Sequence, residues 1–422
     1  MKKLVCISRK EKRRFLEVLD KISNGVGKEN CEEVIKEIVD DNEENGIRCC
    51  FIFSSFDQLK EKIEKVKNTE ENKIVEDGIF YSQCQDKGKV AFLFPGQGSQ
   101  KVRMFSTLKE RFIQMRESLK LSDETLKEKI GKNLSEFIYP EETEDEEKKK
   151  KQMEQLTRTD ITQPALGVVE MGLFKIFNSF GITPDMAAGH SLGEYVALSA
   201  SGIIEEKVLY PLLQARGKAI IEAGGEEGKM MAVGCGEEEA KELIKGYEVY
   251  ISNLNSPSQT IVSGKLEELE RLKTDLRNKK IRAKIINVSC AFHSPFMAAA
   301  KEIFDEELKK VDFKNGLFPV YSNLTGEKYP EKEEEIREIL SNHLINGVRF
   351  IDEVENMFRD GAKLFVEIGP GKVLTGLVNS ILSGKDFLAI AVDGKDEIES
   401  FLYSLAICFL FNRKVEPSFV GL

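Results

Sequence analysis

Histidine is scarce in this sequence: its 422 residues contain only His190, His293 and His343. Any histidine chemistry must use one of these three. Long apolar runs are missing as well. No stretch approaches the roughly 20 apolar residues of a membrane helix, so no membrane partner is expected. A basic excess is also lacking. Lys plus Arg number 62 against 72 for Asp plus Glu, a formal net charge of −10. That balance argues against general nucleic-acid binding, which needs a basic face to neutralise phosphates. The eight cysteines are scattered without a CxxC pair, and adjacent Cys49 and Cys50 could not ligate one metal in normal geometry. They read as buried thiols of a reducing compartment, with no metal expected. Met1-Lys2-Lys3-Leu4-Val5 leads into a charged helical pattern without an apolar signal core, so a cytoplasmic location is expected.

What is present fits a soluble globular protein, 41% hydrophobic and 32% charged. The length suggests two or three packed units. Residues 1–88 read as a small α/β unit, with helical spacing over Lys10–Ile22, Cys31–Val39 and Phe56–Val66 and a β-rich run at Cys49–Phe53. Tyr81–Gly88 reads as a linker. Lys89–Phe94 is an almost wholly apolar strand running into Pro95-Gly96-Gln97-Gly98-Ser99-Gln100, the pattern of an α/β active-site edge. Leu119–Gln155 is so charged that it reads as a solvated helix-and-loop excursion, or as docking for an acidic carrier protein. Thr162–Phe177 predicts an apolar helix starting near Pro164. Lys229–Asn287 follows a β-α-β-β-α-β order, a ferredoxin-like pattern inserted in the larger core. Phe318–Asn323 and Leu364–Ile368 predict further strands. The tail from Asp386 predicts a strand (Phe387–Val392), a helix (Ile398–Phe411) and an extended end. The expected class is therefore α/β: a parallel-sheet, α/β-hydrolase-like core over 89–228 and 288–385, with an inserted subdomain at 229–287. Flanking segments lie at 1–88 and 386–422.

The strongest chemical signal is Gly189-His190-Ser191-Leu192-Gly193, directly after the apolar run Met186–Ala188. A GxSxG string between a strand and a helix is a nucleophile elbow. Its glycines permit a turn that side chains would block. The serine then stands at a helix N-terminus, where free N–H groups favour negative charge on a reacting oxygen. A neutral serine needs a base. His190 adjoins Ser191, so its side chain points elsewhere and reads as structural. His293, in a loop before Pro295 opens a helix, is the better base. His343 lies in a helix-then-turn pattern and reads as structural in its side chain. Arg216 sits on the helix after the elbow helix. Read alone, it is a surface salt bridge or a fork for a substrate carboxylate.

Five segments then occur in order: Phe92–Gln100, Gly189–Tyr195, Gln214–Gly217, Ala291–Ser294 and Glu367–Leu374. Together they resemble the malonyl-CoA:acyl-carrier-protein transacylase family and the acyltransferase domains of fatty acid and polyketide synthases, over about Lys89 to Gly384. The resemblance implies that Ser191 is the nucleophile and His293 the general base. The amides of Gln97 and Leu192 would form the oxyanion hole. Arg216 would grip the malonyl carboxylate, and Gln163 would line the pocket. A main-chain carbonyl, here that of His343, would orient the base in place of an aspartate. Phe292 resembles the malonyl-selecting form of the specificity segment, and Leu192 agrees. The implied substrate is malonyl-CoA, the acceptor is the phosphopantetheine of an acyl carrier protein, and no bound cofactor is implied. Residues 1–88 resemble the linker between a ketosynthase and an acyltransferase, which makes a ketosynthase domain a candidate partner. Residues 386–422 resemble the linker that follows an acyltransferase. Three departures stand out. Cys290 replaces a common histidine, Lys101-Val102-Arg103-Met104 replaces a loop with glycine, and Gly347 stands where proline is usual. The first two are expected to touch the pocket and bear on acyl selectivity. A methylmalonyl or other acyl-CoA, a serine thioesterase or hydrolase, and a non-catalytic docking module are the alternatives.

Overall fold

The computed structural model describes residues 2–26, 31–39, 42–43, 46–83, 88–223, 228–286, 288, 290–411 and 419–421. Its strands are β1 (Lys3–Arg9), β2 (Ile47–Phe53), β3 (Lys73–Glu76), β4 (Ile79–Ser82), β5 (Lys89–Phe94), β6 (Met186–Gly189), β7 (Gly228–Val233), β8 (Val249–Ser256), β9 (Gln259–Lys265), β10 (Ala283–Ile286), β11 (Ala362–Glu367), β12 (Leu388–Ala391) and β13 (Phe419–Gly421). They form three sheets.

The central sheet runs β12-β11-β5-β6 and is parallel throughout. Helices cover both of its faces, so β5 and β6 are buried along nearly their whole length. That is why they read as unbroken apolar runs rather than alternating ones. The helix Thr159–Ser179 packs Phe174 and Phe177 edge-on against Phe92 of β5. It starts before Pro164, which lies inside it. Both β5 and β6 end at the loops that hold Gln97 and Ser191, the position expected of a site at the carboxyl ends of parallel strands. The expected strand Phe318–Asn323 is reduced to isolated bridges, Val320 with Ala187 and Tyr321 with Lys328. Pro319 cannot donate to a ladder, and the turn at Gly326 (φ +73°) folds the chain back. Strand β12 lies beyond residue 385, yet it pairs with β11 in the central sheet.

The second sheet, β10-β7-β9-β8, is antiparallel. In chain order this is 4-1-3-2, the ferredoxin-like arrangement expected for 229–287. One face packs Met231, Val233 and Val262 against Leu269, Leu272 and Leu276 of the helix Leu266–Asn278. The other face looks toward the central sheet.

The third sheet, β13-β1-β2-β4-β3, is antiparallel and draws its edge strand β13 from the far end of the chain. One face packs on Phe15, Leu19, Leu59 and Ile63 of two helices. The other meets the helix Glu397–Leu410, where Phe80 packs edge-on against Tyr403. Residues 81 and 82, expected in a linker, belong to β4. The hairpin of β3 and β4 is too short and too polar on β3 to stand out by periodicity. Part of the expected extended end, 412–418, lies outside the described residues. The charged segment after Leu119 forms helices, of which Glu146–Thr157 buries only Leu156.

Candidate active site

Between β6 and the helix Gly193–Ala200 the chain reverses over three residues. Ser191 sits at φ +56°, in the left-handed region that costs a non-glycine residue about 1–3 kcal/mol. Its neighbours make this possible. A Cβ on Gly189 would fall 1.9 Å from the carbonyl carbon of Gly193, and one on Gly193 would fall 2.0 Å from the carbonyl oxygen of Phe94. Both obstacles are backbone, so no side chain is admitted. The His190 amide donates to the Phe94 carbonyl at 2.9 Å, tying the elbow to the end of β5.

The Ser191 hydroxyl lies 2.7 Å from Nε2 of His293. Nδ1 of His293 lies 3.0 Å from the carbonyl oxygen of His343, the last residue of the helix Glu333–His343. A carbonyl only accepts, so Nδ1 carries the proton and Nε2 faces Ser191 as an acceptor. Burial, reinforced by the nearby Arg216 guanidinium, pushes His293 down to about 3. The imidazole is therefore neutral.

Arg216 arrives from the helix Glu206–Glu222 and is 1% exposed. Its Nη1 donates to Oε1 of Gln163 at 2.9 Å, and its Nη2 lies 3.4 Å from the Ser191 oxygen. Nε has no acceptor, and among the described residues no carboxylate pairs with this guanidinium. Gln97 and Leu192 flank the serine. Among the described residues neither of their amide N–H groups has an acceptor. Gln97, Ser191, Arg216, Phe292 and His293 line a cavity of about 300 Å³, closed on the far side by Met230, Ala232, Ile261 and Ile286 of the ferredoxin-like sheet. All eight residues singled out in the sequence thus converge here, His343 through its carbonyl and Gln163 through Arg216.

Two expectations change. Neither Cys290 nor the segment Lys101–Met104 is among the lining residues. Lys101 pairs with Asp393 at 2.6 Å and Arg103 with Glu142 at 2.8 Å, both pointing outward. Cys290 is buried, and its thiol is one of the groups whose field reaches Arg216. His190 lines the cavity but bonds to Asn255 at 2.9 Å, not to Ser191.

Sequence reasoning missed the polar layer beneath the elbow. Asn323 accepts the Ser191 amide at 2.7 Å and donates to the Gly189 carbonyl at 2.5 Å. Glu194 accepts from the Asn323 amide at 3.0 Å and from the Tyr329 hydroxyl at 2.6 Å. Burial pushes Glu194 up to about 7 against the pull of those bonds. The available signals were an asparagine ending an apolar run and an acid directly after GxSxG.

The family model described as "Acyl transferase domain" matches residues 91–400, so the chain belongs to the acyl transferase domain family and is an acyltransferase. The malonyl CoA-acyl carrier protein transacylase of Bacillus subtilis is 36% identical over 326 residues, covering 75% of this chain and 97% of that protein. A polyunsaturated fatty acid synthase polypeptide of Thraustochytrium sp. is 34% identical over 311 residues, or 70% of this chain. The chain spans only 11% of that much longer protein. The crystal structure of the acyl transferase domain of SpnD superposes with a TM-score of 0.79 over 97% of this chain and 96% of that one. At 20% identity this likeness concerns the fold, and it extends over both flanking segments.

The depressed His293 has a measurable consequence. Protonation would occupy the acceptor that Nε2 offers Ser191, so reactivity that depends on it is expected to be lost as pH falls through the folded value, not through the ordinary 6.5. Phosphonylation of Ser191 by a fluorophosphonate should therefore proceed at a constant rate from neutral pH to well below 6.5. A half-loss of rate near 6.5 would contradict this electrostatic account.

Proposed function

We propose that this acyltransferase moves a malonyl group from malonyl-CoA to the phosphopantetheine thiol of an acyl carrier protein, through an ester on Ser191, in fatty acid or polyketide synthesis. The observation that carries the reading is Arg216. A fully buried guanidinium without a carboxylate is costly, and it becomes favourable when an anion completes it. Its Nε has no acceptor, and its Nη2 makes only a long, 3.4 Å hydrogen bond to the Ser191 oxygen, so this side of the fork is open to an anion. An acyl group with a terminal carboxylate fits that fork in bidentate fashion.

The proposed reaction has two halves. In the first, Ser191 Oγ attacks the thioester carbon while its proton passes to Nε2 of His293. The amides of Leu192 and Gln97 receive the oxyanion, a contribution of about 10²–10³ in rate for each donor in comparable sites. The carbon–sulfur bond breaks, the CoA sulfur takes the proton from His293, and a malonyl-serine ester remains. In the second half the carrier thiol gives its proton to His293 and attacks the ester. Ser191 leaves and takes the proton back. No step is assigned to a metal or cofactor. Phe292 narrows the cavity beside His293, which suits malonyl over bulkier methylmalonyl groups. A thioesterase or hydrolase would normally place a carboxylate on Nδ1 of the base. Here the acceptor is the His343 carbonyl, which favours transfer.

The acceptor is read from charge. Five cations and no acid occur over Arg277–Lys284, in a chain of net charge −10. Strand β10 is a sheet edge, and Lys284 pairs in register with the cavity-lining Ala232. Lys284 therefore shares the cavity face with Ile286, and Arg282 continues that face outward. This stripe suits an acidic carrier better than the charged 119–155 segment, whose lysines meet acids of their own helix, as in Lys149 with Glu146. Residues 1–88 are proposed as a linker that seats a ketosynthase domain, and 386–422 as the linker that wraps back onto it. A reducing cytoplasm suits the buried thiols of Cys6, Cys49, Cys50, Cys235, Cys290 and Cys408, none of which is in a disulfide.

Arg216→Ala should slow malonyl loading by about 10- to 100-fold, the equivalent of one charged hydrogen-bonded contact. Acetyl loading should change far less, and equal losses for both groups would reduce Arg216 to a structural role. Arg282→Glu with Lys284→Glu should raise the KM for the carrier about tenfold and flatten its salt dependence. Loading from malonyl-CoA should hardly change. Unaltered carrier kinetics would refute the docking assignment.

A further inference from the structure

Asn323 is fully buried, and its side chain reaches three parts of the site. The Ser191 amide can only donate and the Gly189 carbonyl can only accept. The asparagine oxygen must therefore face the first, at 2.7 Å, and its nitrogen the second, at 2.5 Å. The two bonds straddle Ser191, the residue held at φ +56°. The same nitrogen also donates to Oε1 of Glu353 at 2.9 Å. The same oxygen lies 3.3 Å from Nε2 of His343, which is 3.1 Å from Oε2 of Glu194. Glu194 belongs to the first turn of the elbow helix, and His343 supplies the carbonyl that orients His293. The main chain of Asn323 is fixed as well. Its amide donates to Glu194, and its carbonyl accepts from the Arg349 amide at 2.8 Å.

We propose that Asn323 is a positioning residue that clamps the strained Ser191 turn and, with Glu194 and His343, sets nucleophile and base against each other. By holding the Ser191 amide, Asn323 keeps that N–H out of the oxyanion hole and leaves the task to Leu192 and Gln97. It also offsets the strain of the left-handed turn with two hydrogen bonds that a relaxed serine would lose. Relaxation of the turn by about 1 Å would separate Oγ from Nε2, a displacement that costs on the order of 10²-fold in rate. This inference rests on the proposed Ser191–His293 chemistry but not on the identity of the acyl group.

A fluorophosphonate tests it without malonyl-CoA or carrier. Oγ attacks phosphorus, fluoride leaves, and the Ser191 proton passes to His293. Misfolding lowers the fraction of chains labelled, whereas mispositioning lowers the rate constant of the whole population. Asn323→Ala should cut the rate constant about 10²-fold with near-complete final labelling. Asn323→Asp keeps the oxygen for Ser191 but can donate to Gly189 only when protonated. Among the titratable groups packed around it are Glu194, Glu353 and His343. Its rate constant relative to the native chain should therefore rise on acidification. A rate constant for Asn323→Ala within threefold of native, with only the labelled fraction reduced, would overturn the proposal. So would a pH-independent ratio for Asn323→Asp. Failure of malonyl transfer alongside these expected labelling results would instead strike the reading of the substrate.

Discussion

The site depends on one backbone conformation, the left-handed turn at Ser191. A serine in that conformation projects from the end of β6 with free amides on either side. The turn exists only because its surroundings over-determine it. Gly189 and Gly193 touch backbone where a Cβ would stand, the His190 amide is anchored on Phe94, and Asn323 grips both sides of the serine. The central sheet supplies the rigidity, since β5 and β6 are buried on both faces. Local strain of a few kcal/mol is tolerated in such a frame because the packed helices cannot follow if the turn relaxes.

Electrostatics divides the site into two regimes. Around the reacting oxygen lie a neutral imidazole and a buried guanidinium, so the local field favours anions. Beneath the elbow the buried acids Glu194 and Glu353 are held above their ordinary range by burial. Held up in this way, they oppose the field of Arg216 less than fully ionised carboxylates would. The arrangement leaves one buried cation open to an anion while the imidazole of His293 remains free of charge.

The sequence made the central sheet and the elbow legible for a physical reason. Parallel strands buried on both faces leave apolar runs, and the elbow needs glycine at fixed offsets. The helix Leu266–Asn278 was equally plain, because its leucines recur with helical spacing. The β3–β4 hairpin was not, since β3 buries only Ile74 and carries no alternation. The Phe318–Asn323 run misled in a useful way. Its apolar texture came from bridging Ala187, while its last residue turned in beneath Ser191. Asn323 carries no local pattern, because its partners Ser191 and Gly189 lie more than a hundred residues away in the chain. Expectations for Cys290 and Lys101–Met104 failed because adjacency to a motif does not fix which way a side chain points.

The central claim is that the hydroxyl of Ser191 carries the acyl group between two thiols. The direct measurement is peptide mapping by tandem mass spectrometry of the protein quenched after exposure to malonyl-CoA, with and without a holo carrier protein. The account predicts a single malonyl ester on the peptide containing Ser191, discharged when the carrier thiol is added. A malonyl group on any other residue, or an ester that water removes as fast as the carrier does, would contradict it.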